Sequence, residues 1–102
     1  MMMPGSLRIL VCRERVDFRR SFNGLCGFVR DVLGEDPRSA TLFVFRNNRC
    51  NQMKILWWDG NGYAIWMKRL CEGTFSKLSS GEIDATTLAE FLEEIKSVQP
   101  RK

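Results

Sequence analysis

The chain has 102 residues, 44% of them hydrophobic and 11% aromatic, which suffices for one modest core and is too apolar for a disordered tail. No apolar run approaches the ~20 residues of a membrane span, and the start, MMMPGSLR, lacks the long apolar core of a secretory signal, so a cytoplasmic protein is expected. The net charge of +4 is unevenly placed, with 13 Arg or Lys against 7 Asp or Glu in residues 1–80 and 3 against 5 in residues 81–102, so the basic character belongs to the main body of the chain.

In chain order, residues 1–6 read as a disordered N-terminus, because Pro4 and Gly5 discourage regular structure. Leu7 to Cys12 sets Leu7, Ile9 and Val11 against Arg8, Leu10 and Cys12, which predicts a short strand. Arg13, Glu14 and Arg15 form a charged connection to Asp17, the predicted N-cap of a helix over Phe18 to Leu33. The apolar residues Phe18, Phe22, Leu25, Cys26, Val29, Val32 and Leu33 follow three- and four-residue steps, and Gly34 is placed for a left-handed end. Gly24 and Gly27 cost helix propensity, roughly 1 kcal/mol each relative to Ala, which points to close approach of this helix to the sheet or to a partner, with close packing the better account.

The run Leu42 to Leu70 predicts three antiparallel strands separated by two polar turns. Thr41, Phe43 and Phe45 alternate with Leu42, Val44 and Arg46, and Met53, Ile55 and Trp57 alternate with Lys54, Leu56 and Trp58. Both faces are largely apolar, so the sheet needs cover on at least one side and partly on the other. Asn47 to Asn51 makes the first turn, Asp59, Gly60, Asn61 and Gly62 the second, and Tyr63 to Leu70 is the third strand. A turn at Cys71 to Gly73 leads to a short fourth strand near Thr74 to Lys77, followed by a linker from Ser79 to Asp84. Thr86 or Thr87 then caps a final helix with Leu88, Phe91, Leu92 and Ile95 inward and Glu90, Glu93 and Glu94 outward, before a loose C-terminus over residues 97–102. The expected fold is a single α+β domain over residues 7–96: a short N-terminal strand, a helix, an antiparallel three- or four-stranded meander and a C-terminal helix.

Catalytic chemistry has little to work with. The chain has no histidine, hence no common nucleophile–base pair, and no Gly-rich phosphate loop of the Walker type. Metal-assisted phosphoryl transfer would need Asp17, Asp59 and Glu72 to converge, yet Asp17 reads better as a cap and Asp59 as a turn residue. Cys12, Cys26, Cys50 and Cys71 form no CxxC pair; Cys12 and Cys26 sit on predicted apolar faces as buried thiols. No enzyme activity, metal or cofactor is expected.

Binding is better served. Arg46, Arg49, Lys54, Lys68 and Arg69 lie on or beside the meander, while Arg13, Arg15, Arg19 and Arg20 cluster at the start of the first helix. Facing one way, these groups would track a phosphate backbone. Trp58 and Trp66 are the candidate stacking platforms, because each shares a strand face with a lysine, although a place in the core under a helix explains them equally well.

The strings VDFRRSFNGL (Val16 to Leu25), LFVFRN (Leu42 to Asn47), KILWWDGNGYAIWMKRL (Lys54 to Leu70) and GTF (Gly73 to Phe75) resemble the accessory protein encoded by the second open reading frame of insertion-sequence family sixty-six. That family is often labelled TnpB and is unrelated to the RNA-guided nuclease of the same label. The resemblance covers roughly residues 7 to 78 and rests on four ordered motifs at matching spacing. It implies a bacterial helper protein needed for transposition, made beside a separate transposase that holds the catalytic residues. Arg19 and Arg20 after Asp17, and Arg46, Lys54, Trp58, Asp59, Gly62, Lys68 and Arg69, match the family's motif positions. Ser21 stands where Gly is usual, Asn51 and Gln52 where an Asp and Arg pair is typical, Met67 where an aromatic is common, and Lys77 and Leu78 where Trp-Pro is expected.

The function expected from residues and resemblance together is a non-catalytic accessory protein that binds element DNA, the transposase, or both, through Arg19, Arg20, Arg46, Arg49, Lys54, Trp58, Trp66, Lys68 and Arg69. The alternative is a stand-alone RNA- or single-strand-binding module, with a small metal-dependent nuclease further behind. Oligomeric state stays open at this level.

Overall fold

A computed structural model describes residues 7–90. The expected loose ends, and the helix residues Phe91, Leu92, Glu93, Glu94 and Ile95, lie outside the described residues. Five strands form one sheet: β1 (Arg8–Arg15), β2 (Thr41–Arg46), β3 (Gln52–Trp58), β4 (Tyr63–Arg69) and β5 (Gly81–Ile83), in the spatial order β4-β3-β2-β1-β5. The helix α1 (Phe22–Asp31) connects β1 to β2, which run parallel from Arg8↔Thr41 to Val11↔Val44. The sheet is therefore mixed rather than a simple meander.

The aromatic meander β2-β3-β4 is antiparallel as expected, with Phe43↔Leu56 and Ile55↔Trp66 among its registered pairs. The expected fourth meander strand is not there. Residues 74–77 instead form a turn in which Phe75 is fully buried, its N–H donating to the Cys50 carbonyl at 2.7 Å. The fifth strand lies within the expected linker and pairs with β1 at the far edge, Ile9↔Ile83 to Val11↔Gly81. Three residues are too few to show a period-two signal.

Both sheet faces are covered. On one, Phe43, Phe45 and Leu56 pack with Leu25, Cys26 and Val29 of α1. On the other, Ile9, Val11, Leu42, Val44, Met53 and Ile55 lie under Leu70, Phe75, Leu78 and Leu88. Each such large side chain contributes about 1.5–3 kcal/mol relative to exposure.

The helix begins four residues later than its periodicity suggests. Asp17 does not cap it: Oδ1 accepts the Arg19 N–H at 2.9 Å and the Arg20 N–H donates to the Asp17 carbonyl, closing a turn. The Nζ of Lys54 on β3 donates to the carbonyls of Phe18 and Arg20 at 3.1 and 2.8 Å, holding both on a tertiary partner ahead of the first helical turn. Ser21 occupies the N-cap position without a side-chain cap. At the other end the helix stops at Asp31, two residues short of the expected Leu33, while Gly34 takes the expected left-handed conformation at φ +66° and the Glu35 N–H donates to the Val29 carbonyl.

The glycines of α1 do not mark close packing. A Cβ on Gly27 would meet nothing within 4 Å, and one on Gly24 would meet the flexible Arg20 stem at 3.1 Å. A second helix starts at residue 85, where the cap is Asp84 rather than a threonine: its Oδ1 accepts the Thr87 N–H at 2.7 Å, and this bond lowers the carboxyl pKa.

Candidate nucleic-acid interface

At one end of the sheet, the β1–α1 connection passes the β2–β3 hairpin and the end of β4. The resulting groove, about 480 Å³, is lined by Val16, Asp17, Phe18 and Arg19 from the connection, by Asn47, Asn48, Arg49, Asn51 and Gln52 from the hairpin, and by Arg69. Three arginines from separate stretches of sequence thus line one groove together with four amide residues.

The hairpin lip is ordered by its own asparagine. Asn47 Oδ1 accepts the N–H groups of Asn51 and Gln52 at 3.1 and 2.9 Å, and its Nδ2 donates to Asn51 Oδ1 at 2.8 Å. Cys50 takes the left-handed conformation, φ +57°, which turns the chain sharply and presents Arg49 to solvent. On the opposite lip, Arg19 Nε and Nη2 grip Asp17 Oδ2 at 2.9 and 2.6 Å. That pairing holds the Asp17 carboxyl down at about 2 and raises the Arg19 pKa, so Arg19 stays charged and its guanidinium is held in place. Arg49 and Arg69 have no ion-pair partner among the described residues.

The other candidates go elsewhere. Arg46 is 3% exposed: Nη1 donates to the carbonyls of Phe75 and Leu78, and Nη2 to the Cys12 carbonyl and Ser80 Oγ. Lys54 is 8% exposed, its Nζ lies 4.9 Å from the Phe18 ring centroid, and burial lowers its pKa. Both cations hold the fold together and present nothing to an outside phosphate. Arg20 lies over the Phe28 ring at 5.6 Å, exposed beside the groove but not lining it.

The two tryptophans do not share a platform. Trp58 pairs with Tyr63 and Trp66 with Ile55, which are packed with opposite core clusters, so the indoles project from opposite faces. Trp58 meets Tyr63 edge-on at 5.0 Å and carries the Arg38 guanidinium 4.6 Å from its ring, whereas Trp66 is 40% exposed. Lys68 registers with Met53 and so shares the Trp66 face.

The amides Asn47, Asn48, Asn51 and Gln52 are not among the candidates that the sequence singles out. Their signal is compositional, four amides in six residues, and turn chemistry alone accounts for it in the sequence. Among the described residues, no group of three or more Cys, Asp or Glu is placed to hold a metal ion, and no helix is long and apolar enough to cross a membrane. The Cys12 thiol is buried and pushed up to about 11, the opposite of an activated nucleophile.

The family model described as IS66 Orf2 like protein matches residues 7–102. The chain is 44% identical over 69 residues to the uncharacterized protein y4jC of Sinorhizobium fredii, covering 68% of this chain and 59% of that protein. It is 34% identical over 76 residues to the uncharacterized protein y4hO of the same organism, covering 72% of this chain and 66% of that one. In both cases the match spans less than two thirds of the relative's length. No solved structure matches the chain.

Proposed function

The chain belongs to the IS66 Orf2 like family, an accessory component of the transposition system, and from that premise we propose that it assists transposition by holding element DNA through the groove between the β1–α1 connection and the β2–β3 hairpin. The observation that carries this reading is the convergence of Arg19, Arg49 and Arg69, with Arg49 and Arg69 free of ion pairs, on a groove lined by amides. Guanidinium groups supply charge-assisted bonds to phosphate oxygens, and amides supply further donors without sequence preference. Such a contact positions the protein on the backbone; it carries no catalytic step, which would fall to the transposase.

Chemistry supports the RNA-module alternative less well, because stacking successive bases requires aromatic rings on one surface, and Trp58 and Trp66 project from opposite faces. The biological test is deletion of the gene from an otherwise complete element, together with co-purification of the chain with its transposase in the presence and absence of end-sequence DNA. We expect transposition to fall and the chain to enter the assembly when end DNA is present. Normal transposition without the gene, or no association with DNA or transposase, contradicts the proposal.

A further inference from the structure

Among the described residues, the two edges of the sheet, β4 and β5, are finished differently. The β5 edge is three residues long, and Glu82 on it pairs with Arg8 at 3.0 Å. The β4 edge is seven residues long, contains neither Pro nor Gly, carries its charges, Lys68 and Arg69, only at its C-terminal end, and exposes Trp66 (40%) on one face and Met67 (51%) on the other. Short length and charge are the usual protections of an edge; a long edge that exposes large apolar groups is built for pairing.

The hydrogen-bond parity of β4 is readable from its ends. The Leu70 N–H donates to the Asn51 carbonyl at 2.8 Å and the Asp59 N–H donates to the Gly62 carbonyl at 2.9 Å, both in the register of the β3–β4 ladder. Bonding pairs alternate along an antiparallel ladder, so Ala64, Trp66 and Lys68 bond inward to β3. Tyr63, Ile65, Met67 and Arg69 therefore direct their N–H and C=O groups outward.

We propose that β4 pairs antiparallel with β4 of a second copy, about a two-fold axis at Trp66, joining two sheets into one. In that register Trp66 meets Trp66, Ile65 faces Met67, and Tyr63 faces Arg69, so apolar meets apolar on and beside the axis while the Arg69 guanidinium stays on the groove. The four outward residues supply the backbone bonds. No cation stands opposite a cation: Lys68 faces Ala64 of the other copy, and the two Lys68 side chains are about 14 Å apart at ~3.4 Å per residue, beyond a Debye length at physiological salt. A second copy is the occupant that this self-complementarity favours over a strand of another protein.

The test is sedimentation equilibrium of the full chain and of edge variants over a wide concentration range. We expect a wild-type dimer, and a monomer for Trp66→Lys. We also expect a monomer for Met67→Pro, whose lost N–H points away from β3, with circular dichroism and melting otherwise retained. If Met67→Pro fails to fold, Met67→Lys is read in its place. In a Cys71→Ser background, Trp66→Cys should oxidise to a covalent dimer, because the non-hydrogen-bonded pair on the axis brings the two Cα atoms within disulfide range. A monomer at every concentration returns the edge to a strand of another protein and overturns the proposal. So does a dimer unaffected by the folded edge variants.

Discussion

Arg46 Nη1 donates to the carbonyl of Leu78 at 2.7 Å, tying the last residue of β2 to a loop 32 positions further along the chain. The same guanidinium reaches Phe75, Cys12 and Ser80, so one buried cation closes the loop over the sheet face opposite α1. Arg46→Ala strands buried carbonyls as well as removing the bonds, and we expect a loss of about 3–5 kcal/mol. Arg46→Lys keeps the charge without the fork and should recover less than half of that. Urea unfolding with an unchanged slope measures it, and a midpoint like wild type for Arg46→Ala would contradict the structural role.

Gly27 lies in the helix with open space where a Cβ would stand. Gly27→Ala should therefore stabilise the chain by about 0.5–1 kcal/mol through helix propensity alone. A destabilised variant would mean that the helix approaches something closely at this point.

The Asp17–Arg19 pair sets an acid-range titration. The Asp17 carboxyl is lowered from its ordinary value of 3.8 to about 2, first by the Arg19 side-chain hydrogen bonds and then by the Arg19 backbone N–H. A depressed folded-state value means that the pair's contribution to stability is fully present above the unfolded value near 3.8 and is lost as pH falls through about 2. Carboxyl NMR should show Asp17 still ionised at pH 3, and Arg19→Gln should return its midpoint toward 3.8. A midpoint that does not move would mean that Arg19 is not held there.

How much of this could be read from the sequence follows from the range of the interactions. The meander strands are encoded locally, by alternation in Thr41 to Arg46 and Gln52 to Trp58 and by Asn and Gly at the turns, and they appear within a residue or two of where the pattern puts them. Gly34 is likewise a local signal. The helix start is not: Lys54 claims the carbonyls of Phe18 and Arg20 from β3, and nothing near residue 18 announces that. The parallel β1–β2 pairing and the three-residue β5 depend on tertiary contact alone. Among the candidate cations, all carry the same charge in the sequence, and only burial separates Arg46 and Lys54 from Arg49 and Arg69. Trp58 and Trp66 each share a face with a lysine, but the face differs once register is known.

The groove reading is tested most directly by the salt dependence of binding to an element-end duplex. Three guanidinium–phosphate contacts give a slope of log affinity against log salt of about −2.7, or about a fortyfold loss between 50 and 200 mM. We expect that slope for the wild type. For Arg49→Gln combined with Arg69→Gln we expect a slope of about −1 and a matching loss of affinity, with the fold unchanged. Absence of binding at low salt, or a slope that the double variant leaves unaltered, would contradict the assignment of this groove to the DNA backbone.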